Sequence, residues 1–167
     1  ITNNGVNRGK ASEHFNIGGS PRDAEIAMIK RDLELAIETG GIINIQHISS
    51  KEGVELVRSA KSKSDNIHAE ATPHHFTLTE DAVIKHKTYA KMNPPLRSQA
   101  DLEAVIEGLK DGTLDCIVTD HAPHHQDEKE LEFSLANNGI VGFETAFALG
   151  YTYLVKEGHI SIERLIE

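Results

Sequence analysis

The sequence predicts a parallel α/β fold, which we interpret as a (β/α)8 barrel of the TIM type. Three observations support this interpretation. Short β-branched segments alternate with amphipathic helical segments, as in parallel β/α units. Each predicted strand runs directly into polar residues, at the end where barrel enzymes carry their chemistry. No glycine-rich phosphate loop follows a strand, so we favour the barrel over an open doubly wound sheet.

Composition narrows the class of protein. The chain has 167 residues, 38% hydrophobic and 26% charged, which is enough for a domain with its own core. A net charge of -9 without a basic cluster argues against a nucleic-acid partner, and the apolar runs are too short to span a membrane. Cys116 is the single cysteine and lies in an apolar run. We therefore expect a buried thiol, and with no signal peptide at the start, a cytoplasmic protein.

The chain begins without a regular pattern. Residues 1–20 are rich in glycine and asparagine, so we expect a loop or excursion there and β/α units over 21–167. Because Ile1 is not a methionine, we expect the natural amino terminus to lie upstream. Ser20-Pro21 then predicts a helix start, and Gly40-Gly41 predicts its end. The apolar face of this helix consists of Ile26, Ile29, Leu33 and Ile37.

The following segments repeat the order of strand and helix. Residues 42–47 predict a buried strand, and Ser49 with Glu52 predicts a capping box for a helix that continues to about Lys63. The other predicted elements are strands at 66–71 and 114–119, a short strand before Lys91, and helices at 79–87, 98–111 and 142–157.

Histidine is unusually frequent, and its positions suggest a metal site. Seven of the ten histidines fall within 46–47, 68–75 and 120–125, each at or after a predicted strand. Imidazole and carboxylate groups at strand ends suit a divalent ion such as zinc. His47 fits a ligand or a structural histidine equally well. Asp120 directly follows an apolar strand, so we expect a metal-bound, paired or catalytic carboxylate, with a turn aspartate as the alternative.

Other polar residues near the strand ends have supporting roles in this interpretation. His121 could orient a ligand, and His124 could reach an anionic substrate group. His74 and His75 are adjacent on a segment that we expect to be extended, so at most one faces the site and packing roles are favoured. Glu70 could hydrogen-bond inside the barrel, and its role stays open.

Two loop segments could contact a substrate. Pro94 and Pro95 would hold Asn93 and Arg97 rigidly, and the Asn93 amide suits an imide or ureido group, although a plain turn explains the segment equally well. Backbone amides of the Asn138-Gly139 turn could bind a ligand or simply form a loop. No serine or cysteine nucleophile motif is present, which argues against covalent catalysis.

Taken together, these segments resemble the bacterial dihydroorotases of the amidohydrolase superfamily. The resemblance rests on residues 46–52, 70–75 with 78–81, 91–97, 115–124 and 139–146, in matching order and spacing. It implies a partial barrel of the metal-dependent hydrolase type, containing the later strands and helices only. It also implies a binuclear zinc site and reversible cyclisation of N-carbamoyl-L-aspartate to dihydroorotate in pyrimidine biosynthesis.

The resemblance also implies roles for individual residues. His47 and Asp120 match metal ligands, and Asp120 additionally matches the residue that transfers the proton. The matched substrate-binding positions are Asn93, His124, Asn138 and Gly139. Relatives often carry Phe-Gly where this chain has Asn138-Gly139, so the detail of that contact differs.

Several family ligands are not identifiable in the chain: the first-strand His-x-His pair, the mid-barrel bridging group and the fifth-strand histidine. We therefore expect the 167-residue piece alone to be inactive and to bind metal weakly. An allantoinase or hydantoinase is the nearest alternative enzyme. A non-catalytic scaffold subunit for aspartate transcarbamoylase is the alternative of another class, and a homodimer is also compatible with the resemblance.

Overall fold

A three-stranded parallel sheet lies at the centre of the protein. The computed structural model describes residues 5–167, so the predictions for Ile1 and the rest of 1–4 lie outside the described residues. The strands lie in the order β1 (Ile43–Ile45), β2 (Ile67–Ala71) and β3 (Cys116–Ile117). All neighbouring strands are parallel, which confirms the predicted β/α architecture.

Helices connect and cover these strands. In chain order they are α1 (Lys10–His14), α2 (Arg22–Thr39), α3 (Lys51–Lys61), α4 (Pro73–Thr77), α5 (Glu80–His86), α6 (Gln99–Asp111), α7 (Gln126–Lys129), α8 (Ala146–Gly150) and α9 (Ile162–Ile166). A 3₁₀ turn at Lys87–Ala90 follows α5, and a π-helical turn at Tyr151–Val155 extends α8. Within the described residues, no helix has both the length and the apolar character needed to cross a bilayer.

The sheet buries one face against helices. In β2, Ile67, Ala69 and Ala71 are almost fully buried among residues from α2, α3 and α6. Successive strand residues point to opposite faces, and His68 on the other face has a side chain that is 47% exposed. Cys116 pairs with Glu70 on that same face and is exposed. The expectation of a buried thiol was therefore wrong.

The start of α3 differs from the predicted capping box. Ser50, not Ser49, is the N-cap, and its hydroxyl accepts a hydrogen bond from the Gly53 N–H at 3.2 Å. Ser49 instead donates its hydroxyl to Glu25. Glu52 pairs with Arg22 rather than closing a capping box. Two adjacent serines made the cap position ambiguous in the sequence, and in the structure both hydroxyls also donate to Glu25.

Several short elements also differ from the prediction. The segment predicted as a loop contains α1, and the strand expected before Lys91 is the 3₁₀ turn. The helix predicted over 142–157 begins only at Ala146, and α4 was not predicted. A second apolar cluster packs the amino-terminal segment beneath residues 90–96; it consists of Val6, Ala11, Val83, Ala90, Met92 and Leu96.

Candidate active site

His47 follows β1 in a strained backbone conformation. Its φ is 33°, in the left-handed region that residues other than glycine rarely occupy. The side chain is partly buried, and its Nδ1 atom is buried without a hydrogen-bond partner among the described residues. A buried polar atom without a partner is costly and calls for another group. Nδ1 of His47 is therefore available as a ligand atom.

Asp120 follows β3 in a similar conformation, with φ 46°, and its side chain is exposed. Because β1, β2 and β3 are parallel, their carboxyl ends lie at one edge of the sheet. His47 and Asp120 thus lie at the same edge, on either side of β2. Four residues other than glycine have a positive φ in the described chain, and His47 and Asp120 are two of them. Such strain concentrates at functional sites.

His74 and His75 lie between them, directly after β2. They belong to α4, so the expectation of an extended segment was wrong. Both are buried, and their ring centroids are 4.5 Å apart. Burial lowers the pKa of His74 to about 2 and that of His75 to about 3, and the nearby His47 contributes to both shifts. Both rings are therefore neutral at pH 7.

His75 connects the end of β2 to the proline segment. Its Nε2 lies 3.0 Å from the carbonyl of Pro94, and its Nδ1 lies 2.7 Å from the hydroxyl of Thr72. A carbonyl only accepts hydrogen bonds, so Nε2 carries the proton and Nδ1 accepts from Thr72. Both ring nitrogens therefore have a hydrogen-bond partner, and His75 holds residues 93–95 next to the end of β2.

A cavity of about 470 Å³ opens beside His47 and Asn93. Gln46, Pro94, Glu25 and Arg97 also line it. Asn93 is exposed at this cavity, so the structure places one predicted ligand and one predicted substrate-binding residue at the same opening. Asp120 and His124 are not among the lining residues.

Arg97 organises the inner wall of this cavity. Its guanidinium group donates to Ser49 Oγ at 2.8 Å, Asn7 Oδ1 at 2.9 Å and Glu25 Oε2 at 2.8 Å. Glu25 also accepts the backbone N–H groups of Ser49 and Ser50. The network joins α2, the loop that carries His47 and the segment that carries Asn93.

A second group of predicted residues lies in the loops after β3. His124 Nε2 donates to the backbone carbonyl of Asn138 at 2.8 Å, and the Gly139 N–H donates to the carbonyl of Lys91 at 2.9 Å. Gly139 has φ 121°, and a Cβ there would lie 2.6 Å from that of Ala122. His121 Nδ1 accepts a hydrogen bond from the Gly142 N–H, which joins the loop directly after β3 to the segment that follows Gly139.

The donor atoms present fit part of a metal site. His47 offers an unpaired nitrogen, and Asp120 offers an exposed carboxylate at the same sheet edge. Between residues 5 and 167, no three His, Cys, Asp or Glu side chains come together as a metal-binding group. Imidazole and carboxylate are ordinary zinc ligands, and two of them are fewer than a closed site requires.

Sequence reasoning missed four residues that shape the site: Glu25, Ser49, Lys91 and Lys129. Each acts through a partner distant in the chain, such as Arg97 for Glu25. An acidic residue in the first turn of a helix, a lysine in a loop such as Lys91, or a lysine at the end of a helix such as Lys129 ordinarily points to solvent. No local pattern therefore distinguishes these residues from surface residues.

Comparison with known proteins shows that the chain is similar to dihydroorotases. It is 53% identical over 161 residues to a dihydroorotase from Ruminiclostridium cellulolyticum, covering 96% of this chain and 38% of the relative. It is 51% identical over 167 residues to a dihydroorotase from Clostridioides difficile, covering 100% of this chain and 40% of the relative. The chain thus spans about two fifths of the length of these curated relatives. No family model matches it.

Solved structures show the same fold. The L-hydantoinase (dihydropyrimidinase) from Arthrobacter aurescens matches with a TM-score of 0.82 and 33% identity, over 89% of this chain and 34% of that one. The D-hydantoinase (dihydropyrimidinase) from a Thermus species matches with a TM-score of 0.81 and 26% identity, over 87% and 33%. These matches confirm that the three strands are part of a (β/α)8 barrel rather than of an open sheet.

Proposed function

We propose that this chain, which is homologous to the bacterial dihydroorotases along nearly all of its length, is part of a zinc-dependent cyclic amidohydrolase of pyrimidine biosynthesis. The reaction would be the reversible cyclisation of N-carbamoyl-L-aspartate to dihydroorotate. The observation that carries the proposal is the identity of about half of all residues with dihydroorotases, together with two potential ligands in strained backbone at one sheet edge. A single cysteine is compatible with a cytoplasmic enzyme.

His47 and Asp120 would hold metal from this chain. The unpaired Nδ1 of His47 would donate its lone pair, and one Asp120 carboxylate oxygen would bind beside it. When bound, zinc supplies a Lewis acid for the ring amide. The remaining ligands would come from parts of the complete protein outside these 167 residues.

Asp120 would also move the proton. A carboxylate has two oxygens, so one can bind metal while the other accepts a proton from the attacking water and returns it to the amide nitrogen. Its exposure at the sheet edge leaves room for a substrate. Protonation of that nitrogen completes ring opening, and the reverse transfer accompanies cyclisation.

Asn93 and the Asn138-Gly139 turn would recognise the substrate. The Asn93 amide carries both donors and an acceptor that match a ureide, and it lies at the cavity beside His47. His124 already donates Nε2–H to the Asn138 carbonyl. We therefore assign its contribution to holding this turn against the substrate.

A hydantoinase or allantoinase is the second candidate, because the solved structures that match the fold are hydantoinases. Their identities of 26% and 33% are well below those of the dihydroorotases. That difference favours dihydroorotate as the substrate. Retention of both proposed ligands, His47 and Asp120, argues against a non-catalytic scaffold.

The test is an assay of the complete protein that contains this chain, on dihydroorotate, hydantoin and allantoin. Dihydroorotate should be the best substrate, and Asp120→Asn should lower kcat by at least about 100-fold, as expected for loss of an acid–base group. His47→Asn should lower the bound zinc per chain. Asp127→Asn, an exposed acid in a neighbouring helix, is the control and should leave activity unchanged. Turnover of hydantoin without dihydroorotate would replace the proposed substrate.

A further inference from the structure

Two lysines near the candidate active site have buried ammonium groups. The Lys91 and Lys129 residues are 3% and 5% exposed. Lys129 Nζ donates to the carbonyls of Asn137 at 2.8 Å, Gly139 at 2.9 Å and Lys91 at 3.4 Å. Lys91 Nζ donates to the carbonyls of Phe133 at 2.5 Å and Ala136 at 2.6 Å. Every one of these acceptors is a backbone carbonyl.

This arrangement is unusual for buried charge. None of the ion pairs found between residues 5 and 167 involves Lys91 or Lys129, although buried ammonium groups are normally paired with carboxylates. The three N–H donors of Lys129 match three carbonyls, which satisfies the group completely. Burial lowers the pKa of both lysines, and Lys91 lowers the pKa of Lys129 further. The two ammonium groups repel each other, so holding them close together costs free energy of folding.

Most of the carbonyls that the lysines bind belong to one loop. Residues 133–139 include four of the five acceptors, and the Gly139 N–H returns a hydrogen bond to the Lys91 carbonyl. His124 binds the same loop at Asn138. Lys91 lies two residues before Asn93 in the chain. The lysine pair therefore holds the loop of the Asn138-Gly139 turn next to the segment that carries Asn93, and neither lysine lines the cavity.

We infer that Lys91 and Lys129 are positioning residues that fix the Asn138-Gly139 turn against the Asn93 segment and thereby set substrate affinity. This inference rests on the proposed function. The charge has a second effect, since the peptide that contains the Asn137 carbonyl also contains the Asn138 N–H. A cation on the carbonyl makes that N–H a stronger donor, which favours anionic substrates such as dihydroorotate.

The experiment uses the complete enzyme with Lys129→Met, which keeps the length and apolar stem of the side chain but removes the charge and the donors. We expect KM for dihydroorotate to rise at least tenfold, kcat to fall less than threefold, and bound zinc to stay unchanged. Lys63→Met, at an exposed lysine after α3, is the matched control and should leave all three values unchanged. A purely structural role would lower the folded fraction, and hence kcat, without changing KM.

Folded Lys129→Met with KM within twofold of the wild type would overturn the inference. If Lys129→Met does not fold, Lys129→Arg decides by the same criterion, because a planar guanidinium cannot reproduce the contact with three carbonyls. Failure of the proposed function is a different result, since the wild-type enzyme would then not turn over dihydroorotate at all.

Discussion

Glu25 and Arg97 form a buried ion pair at the inner wall of the cavity beside His47. Their side chains are 13% and 2% exposed, and their closest atoms are 2.8 Å apart. Burial alone would raise the pKa of Glu25, but Arg97 and the hydroxyls of Ser49 and Ser50 outweigh it and hold the pKa below its usual 4.5. Glu25 is therefore ionised in the folded protein throughout the neutral range.

The first prediction concerns this pair. Glu25→Gln should destabilise the complete protein by about 3 kcal/mol at pH 7, because it leaves Arg97 buried without its partner charge. A folded-state pKa below the unfolded value means that ionised Glu25 stabilises above about pH 4.5 and that this contribution is lost as pH falls through the folded pKa. The difference in the free energy of unfolding between the variant and the wild type should therefore become smaller at acid pH. Urea unfolding at several pH values measures it.

Glu34→Gln on the same helix is the control. Its side chain is 66% exposed in a loose pair with Lys30, so the expected change is below about 0.5 kcal/mol. A Glu25→Gln loss that is the same at pH 7 and well below pH 4.5 would contradict the assignment of the effect to the carboxylate charge.

The sequence predicted individual site residues where the signal was local. His47 and Asp120 directly follow short apolar segments, and the structure places both at strand ends. Their roles as ligands stay predictions. Glu25 could not be recognised, because its importance depends on Arg97, 72 positions away in the chain. A charged residue shows its burial only when distant segments come together.

Helix ends determine how the elements join. Both α2 and α6 end at a glycine in the left-handed conformation, Gly40 with φ 71° and Gly112 with φ 79°. A Cβ at either position would meet no atom within 4 Å, so only backbone conformation favours glycine there. Without the glycine, the chain would leave each helix under strain.

The second prediction follows from this geometry. Gly112→Ala should lower the free energy of unfolding by about 1 kcal/mol, since alanine resists a left-handed φ. Gly112→Asn should cost less, because asparagine tolerates that conformation better. Thermal unfolding of the complete protein compares the two. Equal losses for alanine and asparagine would contradict the assignment of the effect to the left-handed φ.

Elements were predictable where both the period and the end signals were clear. Helices α2 and α6 combine apolar periodicity with a glycine end, and α6 has the Ser98 cap. Helix α4 was missed, because a five-residue helix has no measurable period and its histidines suggested an extended site segment. β3 has only two residues where six were predicted, since strand length depends on pairing.

At the scale of the whole molecule, one apolar core joins the sheet to its helices. Leu114 lies in this core fully buried, and a Cβ at Gly108 on α6 would come within 3.0 Å of its side chain. The close fit between α6 and the start of β3 thus depends on a large side chain facing a glycine. The alternation of strands and helices, which predicts a sheet covered by helices, is visible in the sequence. The close fit between Leu114 and Gly108 is not.

The third prediction tests that fit. Leu114→Ala should lower the free energy of unfolding by about 3 kcal/mol, because the rigid surroundings leave a cavity. Leu135→Ala, at a leucine that is 65% exposed, should change it by less than about 0.5 kcal/mol. Chemical denaturation of the complete protein gives both values. Similar losses for the two leucines would mean that Leu114 is not part of a tightly packed core.

The left-handed backbone at Asp120 has an evolutionary consequence. Asp120 is exposed, so its side chain adds little packing. Its φ of 46° costs free energy, and this cost would be absent for glycine and smaller for asparagine. Under the proposed function, the chemistry of the carboxylate is what opposes replacement. In a descendant that had lost turnover and kept the fold, selection for stability alone would therefore favour drift of this position towards glycine or asparagine.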